Sequence, residues 1–259
     1  MMDHLTLQAV KNFPIINSGD DLVSIICDNL NENGLHLIEG DILVIAQKIV
    51  SKSQNLFVDL RNVSPSKKAR ELAQKVGKDP RLIEVILSES RSIIRQAPGV
   101  LITEHKSGCI MANAGIDSSN IDQNGSENNK VLLLPRYPDD TCQLYARELQ
   151  NKLGVNIGVI MNDSFGRPWR YGAIGVAIGA AGLPSLWDRR GERDLYGKVL
   201  RVTQQAPADE LASAASLLQG QGAEGVPLVL VRGYTFDPIN APVRPAAHLI
   251  RDESEDLFR

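Results

Sequence analysis

Short apolar runs, bounded by glycine or polar residues, alternate along this chain with segments of helical periodicity. Such alternation commits a chain to sheets packed against helices, because each apolar face needs a partner to cover it. Residues 41–46 (DILVIA), 131–134 (VLLL), 155–161 (VNIGVIM) and 227–231 (PLVLV) read as buried strands. Residues 99–104 and 108–112 read as a hairpin joined across Lys106-Ser107-Gly108. Helices are expected over 20–31 behind Asp20 and Asp21, from a Ser64 cap and Pro65 to Val76 with Gly77 as stop, and from Asp79-Pro80 to about Ser90. Others are expected from Asp139 or Asp140 to Leu153, ended by Gly154, over 208–218, and briefly within the charged tail at 252–259. Residues 172–183 (GAIGVAIGAAGL) fit two forms, a strand in close contact with other backbone or a glycine-rich helix. The polar stretch 118–130 reads as a loop and as a candidate boundary, although polar candidates fall on both sides of it.

The 259 residues are 43% hydrophobic and 23% charged, enough apolar content for a core without disulfides or a structural metal. A net charge of −3 supplies no global basic field, which disfavours nucleic acid as a partner. Cys27, Cys109 and Cys142 form no C-x-x-C pair, so neither a zinc site nor a disulfide framework is indicated; Cys27 and Cys109 read as core residues. The N-terminus has no signal-peptide pattern, and no apolar stretch approaches the roughly 20 residues that span a bilayer. A cytoplasmic protein without a membrane partner is expected. His4, His36, His105 and His248 sit in no ligand spacing and read as structural or exposed.

P-loop, nucleophile-elbow, H-E-x-x-H and Rossmann signatures are all missing. The chemistry is carried instead by scattered oxygen donors and cations. Asp117 and Asp163 each follow an apolar run and precede hydroxyl residues. Hard divalent cations take one or two carboxylates and fill the shell with water and phosphate, although either Asp alone fits a turn or helix cap equally well. Ser164-Phe165-Gly166-Arg167-Pro168-Trp169-Arg170 brings two guanidinium groups close behind Asp163, suited to phosphate or carboxylate oxygens, or to a solvated surface turn. Gly220-Gln221-Gly222-Ala223-Glu224-Gly225 is a loop whose backbone N–H groups could approach phosphates, or a flexible connection. Gln47-Lys48-Ile49-Val50-Ser51-Lys52 puts lysine charge after a buried strand.

Taken together these segments are collinear with a known family. The chain resembles the coenzyme F420-0:L-glutamate ligases, or F420 gamma-glutamyl ligases, from about residue 9 onward. The resemblance rests on Gly40 to Lys52, Glu89 to Arg95, Asn113 to Asn120, Asn162 to Arg170, Asp194 to Gly197, Ala208 to Ala212, Gly220 to Pro227 and Val231-Arg232-Gly233. It implies a mixed α+β fold of largely antiparallel sheets with flanking helices, in an intertwined homodimer. Residues 1–259 would form one catalytic unit, with two interleaved subdomains meeting near 118–130, in the stand-alone form without a C-terminal flavin-binding domain.

The resemblance also implies GTP-dependent amide formation between L-glutamate and coenzyme F420-0. Further gamma-linked glutamates would follow, and the course would pass through an acyl phosphate. Two divalent cations, Mn2+ or Mg2+, and K+ would assist. Asp117, Asp163 and Lys52 look catalytic, and Asp117, Asp163, Ser164 and Gln221 look like metal ligands. Asn12, Phe13, Pro14, Ile15, Ala46, Gln47, Lys52 and Asn120 look like nucleotide contacts. So does the backbone of Gln219, Gly220, Gln221, Gly222, Ala223, Glu224, Gly225 and Val226. Arg167 and Arg170 are candidates for substrate carboxylates. Two departures stand out: Asn12 occupies a position usually held by Gly, which bears on close backbone approach there, and Gln219 stands where Met is frequent. The alternatives are a ligase of the same fold acting on another carboxylate acceptor, and a nucleotide-binding module without turnover.

Overall fold

The computed structural model describes residues 4–123 and 129–257. Along the chain its strands are β1 (Thr6–Ala9), β2 (Ile42–Ala46), β3 (Phe57–Asp59), β4 (Ser90–Ala97), β5 (Val100–His105), β6 (Ile110–Ala112), β7 (Lys130–Leu132), β8 (Gly158–Arg167), β9 (Arg170–Ala181), β10 (Trp187–Asp188), β11 (Gln204–Gln205) and β12 (Leu228–Arg232). Its helices are α1 (Leu22–Glu32), α2 (Gln47–Ser53), α3 (Lys67–Val76), α4 (Pro80–Glu89), α5 (Pro138–Leu153) and α6 (Pro207–Gln219).

The centre is a mixed sheet in the order β1-β12-β2-β8-β9, in which only β2 and β8 run parallel. Alternation along β2 assigns its side chains to two layers. Leu43 and Ile45 pack with Leu22, Val23, Ile26 and Leu30 of α1 and with Tyr145 and Leu149 of α5. Ile42 and Val44 pack with Ala208, Leu211, Ala212 and Ala215 of α6. The sheet is thus covered on both faces, which explains why its inner strands read as unbroken apolar runs. At one end of β2 the buried Asp41 carboxylate accepts from Arg232 Nε (2.8 Å) and Nη2 (2.6 Å), fixing the end of β12. Separately, α3 and α4 pack through Leu72, Val76, Ile83 and Ile86 against Leu101 of β5, which pairs with β4 and β6 in an antiparallel sheet. The architecture is α+β, with antiparallel pairing predominant.

Several boundaries differ from the expectations. The cap of α3 is Ser66 rather than Ser64: its hydroxyl accepts from Ala69 N–H at 3.2 Å, and the Glu84 carboxylate accepts from its own N–H at 2.7 Å. Neither Asp139 nor Asp140 caps α5, which starts at Pro138 behind Tyr137. Asp139 turns away to accept backbone N–H groups from Ala180 (2.8 Å), Ala246 (2.7 Å) and Ala247 (3.1 Å). Residues 170–181 take the strand form. A Cβ at Gly175 would collide with the Ala212 carbonyl, so the small residues let β9 lie against the backbone of α6. Cys27 and Cys109 are only partly buried at the edge of the core, while Cys142 is fully enclosed. The strand β4 and the helix α2 were not anticipated. Part of the polar stretch, residues 124–128, lies outside the described residues. The tail contributes a single 3-10 turn, Glu253–Glu255.

Candidate active site

Strand register gathers the polar candidates at one end of the central sheet. Ala46, the last residue of β2, lies beside Asn162 of β8. Ala46 N–H donates to Pro227 O at 2.8 Å, and Val10 N–H donates to Leu228 O at 3.0 Å. The segments beginning at residues 10, 46 and 162, and the one ending at 227, therefore share one rim. Expecting β8 to end before Asp163 places the residue too late. The strand runs on to Arg167, and Asp163 sits inside it, opposite Val176 of β9.

Asp117 reaches the same rim from the other side. Its N–H donates to Leu132 O at 3.0 Å and its carbonyl accepts from Leu132 N–H at 2.9 Å, a lone bridge beside β7. Its carboxylate accepts from Gln47 Nε2 at 2.7 Å and lies 3.4 Å from Lys48 Nζ. Lys48 Nζ also donates to Ser119 O at 3.1 Å and to Ser119 Oγ at 3.3 Å. Gln47 is held in turn by Ser51, whose hydroxyl donates to Gln47 Oε1 at 2.8 Å. These contacts exist because residues 47–53 form a helix, so positions four apart share a face. The lysine paired with Asp117 is Lys48. Lys52 lies one turn on, its ammonium pKa lowered by burial first and by the Lys48 charge second.

Electrostatics single out the two carboxylates. Burial, and then the charge of Asp117, push the Asp163 carboxyl up to about 7. Burial likewise raises Asp117, opposed chiefly by Lys48. Asp163 accepts from Ser164 N–H at 2.8 Å, and the Gln47 amide also supports it. Two neighbouring carboxylates with too little positive charge between them are an oxygen-donor set suited to a hard divalent cation. Ser164 is exposed beside them, and Gln221 is exposed on the glycine-rich loop with no hydrogen bond to either carboxylate.

The loop itself is tied down. Asn120 Nδ2 donates to Gly222 O at 2.9 Å. The Glu224 carboxylate accepts from Gly222 N–H at 2.7 Å, and a Cβ at Gly220 (φ 72°) would overlap that carboxylate. Gln219 Oε1 accepts from Asn162 Nδ2 at 2.7 Å, and Gln219 Nε2 donates to Asn162 Oδ1 at 3.1 Å. The sequence reading gave Asn162 no role. Its signal, a buried amide immediately before Asp163, acquires meaning only once α6 ends beside β8. At the start of the rim, Asn12 adopts φ 56°, a left-handed backbone that glycine favours and asparagine tolerates. Phe13 packs on the core and Ile15 is exposed, and no hydrogen bond joins 12–15 to the carboxylates among the described residues.

Beyond Asp163 a cavity of about 990 Å³ opens between β4–β6, β8–β9 and the 246–251 segment. Ile94, Ile102, Met111 and Phe165 line it, with Arg95 and Arg167 among its charged groups. Arg167 also donates from Nη1 to Gly172 O at 2.9 Å. Arg170 lies outside the cavity lining, at the exposed turn of the hairpin. Among the described residues no group of three or more His, Cys, Asp or Glu side chains clusters as a metal site, and no helix is long and apolar enough to cross a membrane.

Known proteins carry the same arrangement of sequence. The F420-0:Gamma-glutamyl ligase family matches residues 11–233. The coenzyme F420:L-glutamate ligase of Methanothermobacter thermautotrophicus is 45% identical over 257 residues, covering 98% of this chain and 99% of that protein. Those of Methanopyrus kandleri and Methanocaldococcus jannaschii are 44% and 43% identical, over 94% and 85% of this chain and 93% and 85% of their own lengths. A match across most of the chain, with the carboxylates and the glycine-rich loop inside it, places this protein in the F420-0:gamma-glutamyl ligase family.

Proposed function

We propose that this protein is a GTP-dependent ligase that joins the amino group of L-glutamate to a carboxylate of coenzyme F420-0 and then extends the product through gamma-linkages. The observation that carries the reading is the Asp117–Asp163 pair facing a glycine-rich loop on one rim. The names of the relatives supply the acceptor and the amino acid.

In this reading the acceptor carboxylate attacks the γ-phosphorus of GTP, and GDP leaves. The glutamate amine then attacks the acyl carbon of the resulting acyl phosphate, and inorganic phosphate leaves. Each step needs charge neutralisation and alignment more than covalent help from the protein. Asp117, Asp163, Ser164 and Gln221 would hold Mn2+ or Mg2+ through their oxygens, and the cations would offset the crowded negative charge of phosphates and carboxylate. Lys48 and Lys52 bring positive charge to the Asp117 side of the rim. Backbone N–H groups of the 221–226 loop would take the phosphates in place of the Glu224 carboxylate, which now accepts from Gly222 N–H. The large cavity suits the apolar body of the acceptor, with Arg167 for an anionic group.

The active form is a homodimer. The hairpin tip and the segment after it expose Trp169 (89%), Tyr171 (103%), Leu195 (100%) and Tyr196 (97%), apolar surface that a partner subunit would cover.

The test is incubation with GTP, Mn2+, L-glutamate and coenzyme F420-0, followed by product mass and GDP release. A mass gain of one glutamyl unit or more, with matching GDP, is expected. GDP formed only with another carboxylate acceptor would reassign the substrate, and nucleotide binding without GDP under any condition would reduce the protein to a binding module.

A further inference from the structure

The glycine-rich loop is anchored on both flanks by side-chain amides, and each anchor adjoins one of the two carboxylates. On the β8 side, Asn162 and Gln219 form a closed pair of reciprocal amide hydrogen bonds, 2.7 Å and 3.1 Å. Asn162 is 4% exposed and immediately precedes Asp163; Gln219 is the last residue of α6 and immediately precedes Gly220. Gln219 Nε2 also reaches Pro227 O at 3.5 Å, where the loop re-enters β12. On the other side, Asn120 Nδ2 holds Gly222 O, three residues along the chain from Asp117. The loop thus lies between the two carboxylate-bearing segments, hydrogen-bonded directly to the Asp117 side and tied to the Asp163 side through Gln219 at the end of α6.

We propose that Asn162 and Gln219 are positioning residues. Their paired amides fix the 220–225 loop against Asp163, with Asn120 closing the loop on the Asp117 side, so that the path of the loop is set before a nucleotide displaces the Glu224 carboxylate from Gly222 N–H. The Gln219 side chain is then not itself a nucleotide contact. Two complementary amides, one buried and one half-buried, fix distance and direction together, and they carry no charge that would perturb the adjacent carboxylate. Without the pair, Gly220 leaves the loop with a flexible joint at the end of α6. The nucleotide part of this inference rests on the function proposed above; the loop part does not.

Two measurements separate these parts. Gln219→Met keeps side-chain length and removes all three side-chain hydrogen bonds, the two with Asn162 and the one to Pro227 O, and Gln219→Glu sets a carboxylate oxygen against Asn162 Oδ1. In ligand-free protein, hydrogen exchange at residues 220–225 should quicken about tenfold in both variants while β2, β8 and β12 exchange as before. In steady-state kinetics the KM for GTP should rise about tenfold with kcat within about twofold. The exchanged pair, Asn162→Gln with Gln219→Asn, restores complementary amides and should recover most of the lost affinity. Unchanged exchange in the loop would overturn the anchor. Faster exchange with an unchanged KM would overturn the nucleotide role, as would a fall in kcat and thermal midpoint with KM constant. If Asn162 variants fail to fold, the two Gln219 variants decide the matter alone, because that side chain is only half-buried. Failure of the parent protein to turn over GTP would refute the proposed function and leave the exchange result standing.

Discussion

The two ends of segment 162–170 meet opposite surroundings. Asn162 and Asp163 lie in the part of β8 that pairs with β2 or borders it, where burial and a neighbouring carboxylate raise the Asp163 pKa to about 7. A few residues on, the same strand leaves the sheet as a two-stranded hairpin whose turn exposes Trp169 at 89% and Tyr171 at 103%. Nine consecutive residues of unusual type therefore serve two purposes. The base carries the electrostatic demand for cations, and the tip presents apolar surface, with Arg167 between them on the cavity wall. What distinguishes the ends is how many neighbours the sheet gives each strand position, since desolvation comes only with cover.

The base of the hairpin should show its weight most clearly at Asp163. Asp163→Ala should lower turnover at saturating Mn2+ at least about a thousandfold with the far-ultraviolet spectrum unchanged. Turnover near the parent value would remove the base of the hairpin from the chemistry.

Stability offers the next largest effect. A carboxyl at about 7 in the folded protein and near 3.8 when unfolded holds an extra proton only in the folded state between those values. Its ionisation therefore costs stability as pH rises from 3.8 to 7, and the whole cost stands above pH 7. Asp163→Asn removes that cost, so in chelator the variant should be more stable than the parent above pH 7, by at most about 4 kcal/mol. The difference should close toward the unfolded value. Thermal midpoints that coincide at all pH would show that the carboxyl is not held in a costly setting.

The boundary between base and tip can be sharpened with the two arginines. Arg167→Ala should raise the KM for the acceptor about tenfold, and Arg170→Ala should change it less than about twofold. Equal effects would place both on the substrate path. The smallest effect on turnover is expected at the tip. Trp169→Ser should leave kcat per folded subunit within about twofold while weakening self-association, read by sedimentation velocity over a concentration series. An unaltered association curve would exclude Trp169 from the subunit contact.

Much of the fold was legible because its signals are local. Gly77 and Gly154 end α3 and α5 in left-handed conformations, Asp79 caps α4, and the apolar runs at 42–46 and 228–232 are covered on both faces. The misplaced caps at Ser64 and Asp139 have different causes. A side chain that can bond locally was drawn instead to distant partners, as Asp139 was to Ala246, or yielded to a better-placed neighbour, as Ser64 did to Ser66. The site divides in the same way. Asp117 and Asp163 stood out as acids after apolar runs, whereas the choice of Lys48 over Lys52 depended on a short helix with no strong start signal.

Which residues could bear charge, bind oxygen-seeking ions or turn the chain was written in the order of amino acids, because those properties reside in single side chains and their near neighbours. Which of them meet depended on folding. Strand register set Ala46 beside Asn162, the end of α6 set Gln219 against Asn162, and Asn120 was carried to Gly222. Those contacts join residues 57 to 116 positions apart, and their burial sets the pKa of Asp163. Desolvation and pairing depend on distance in space, which the order of residues along the chain does not contain.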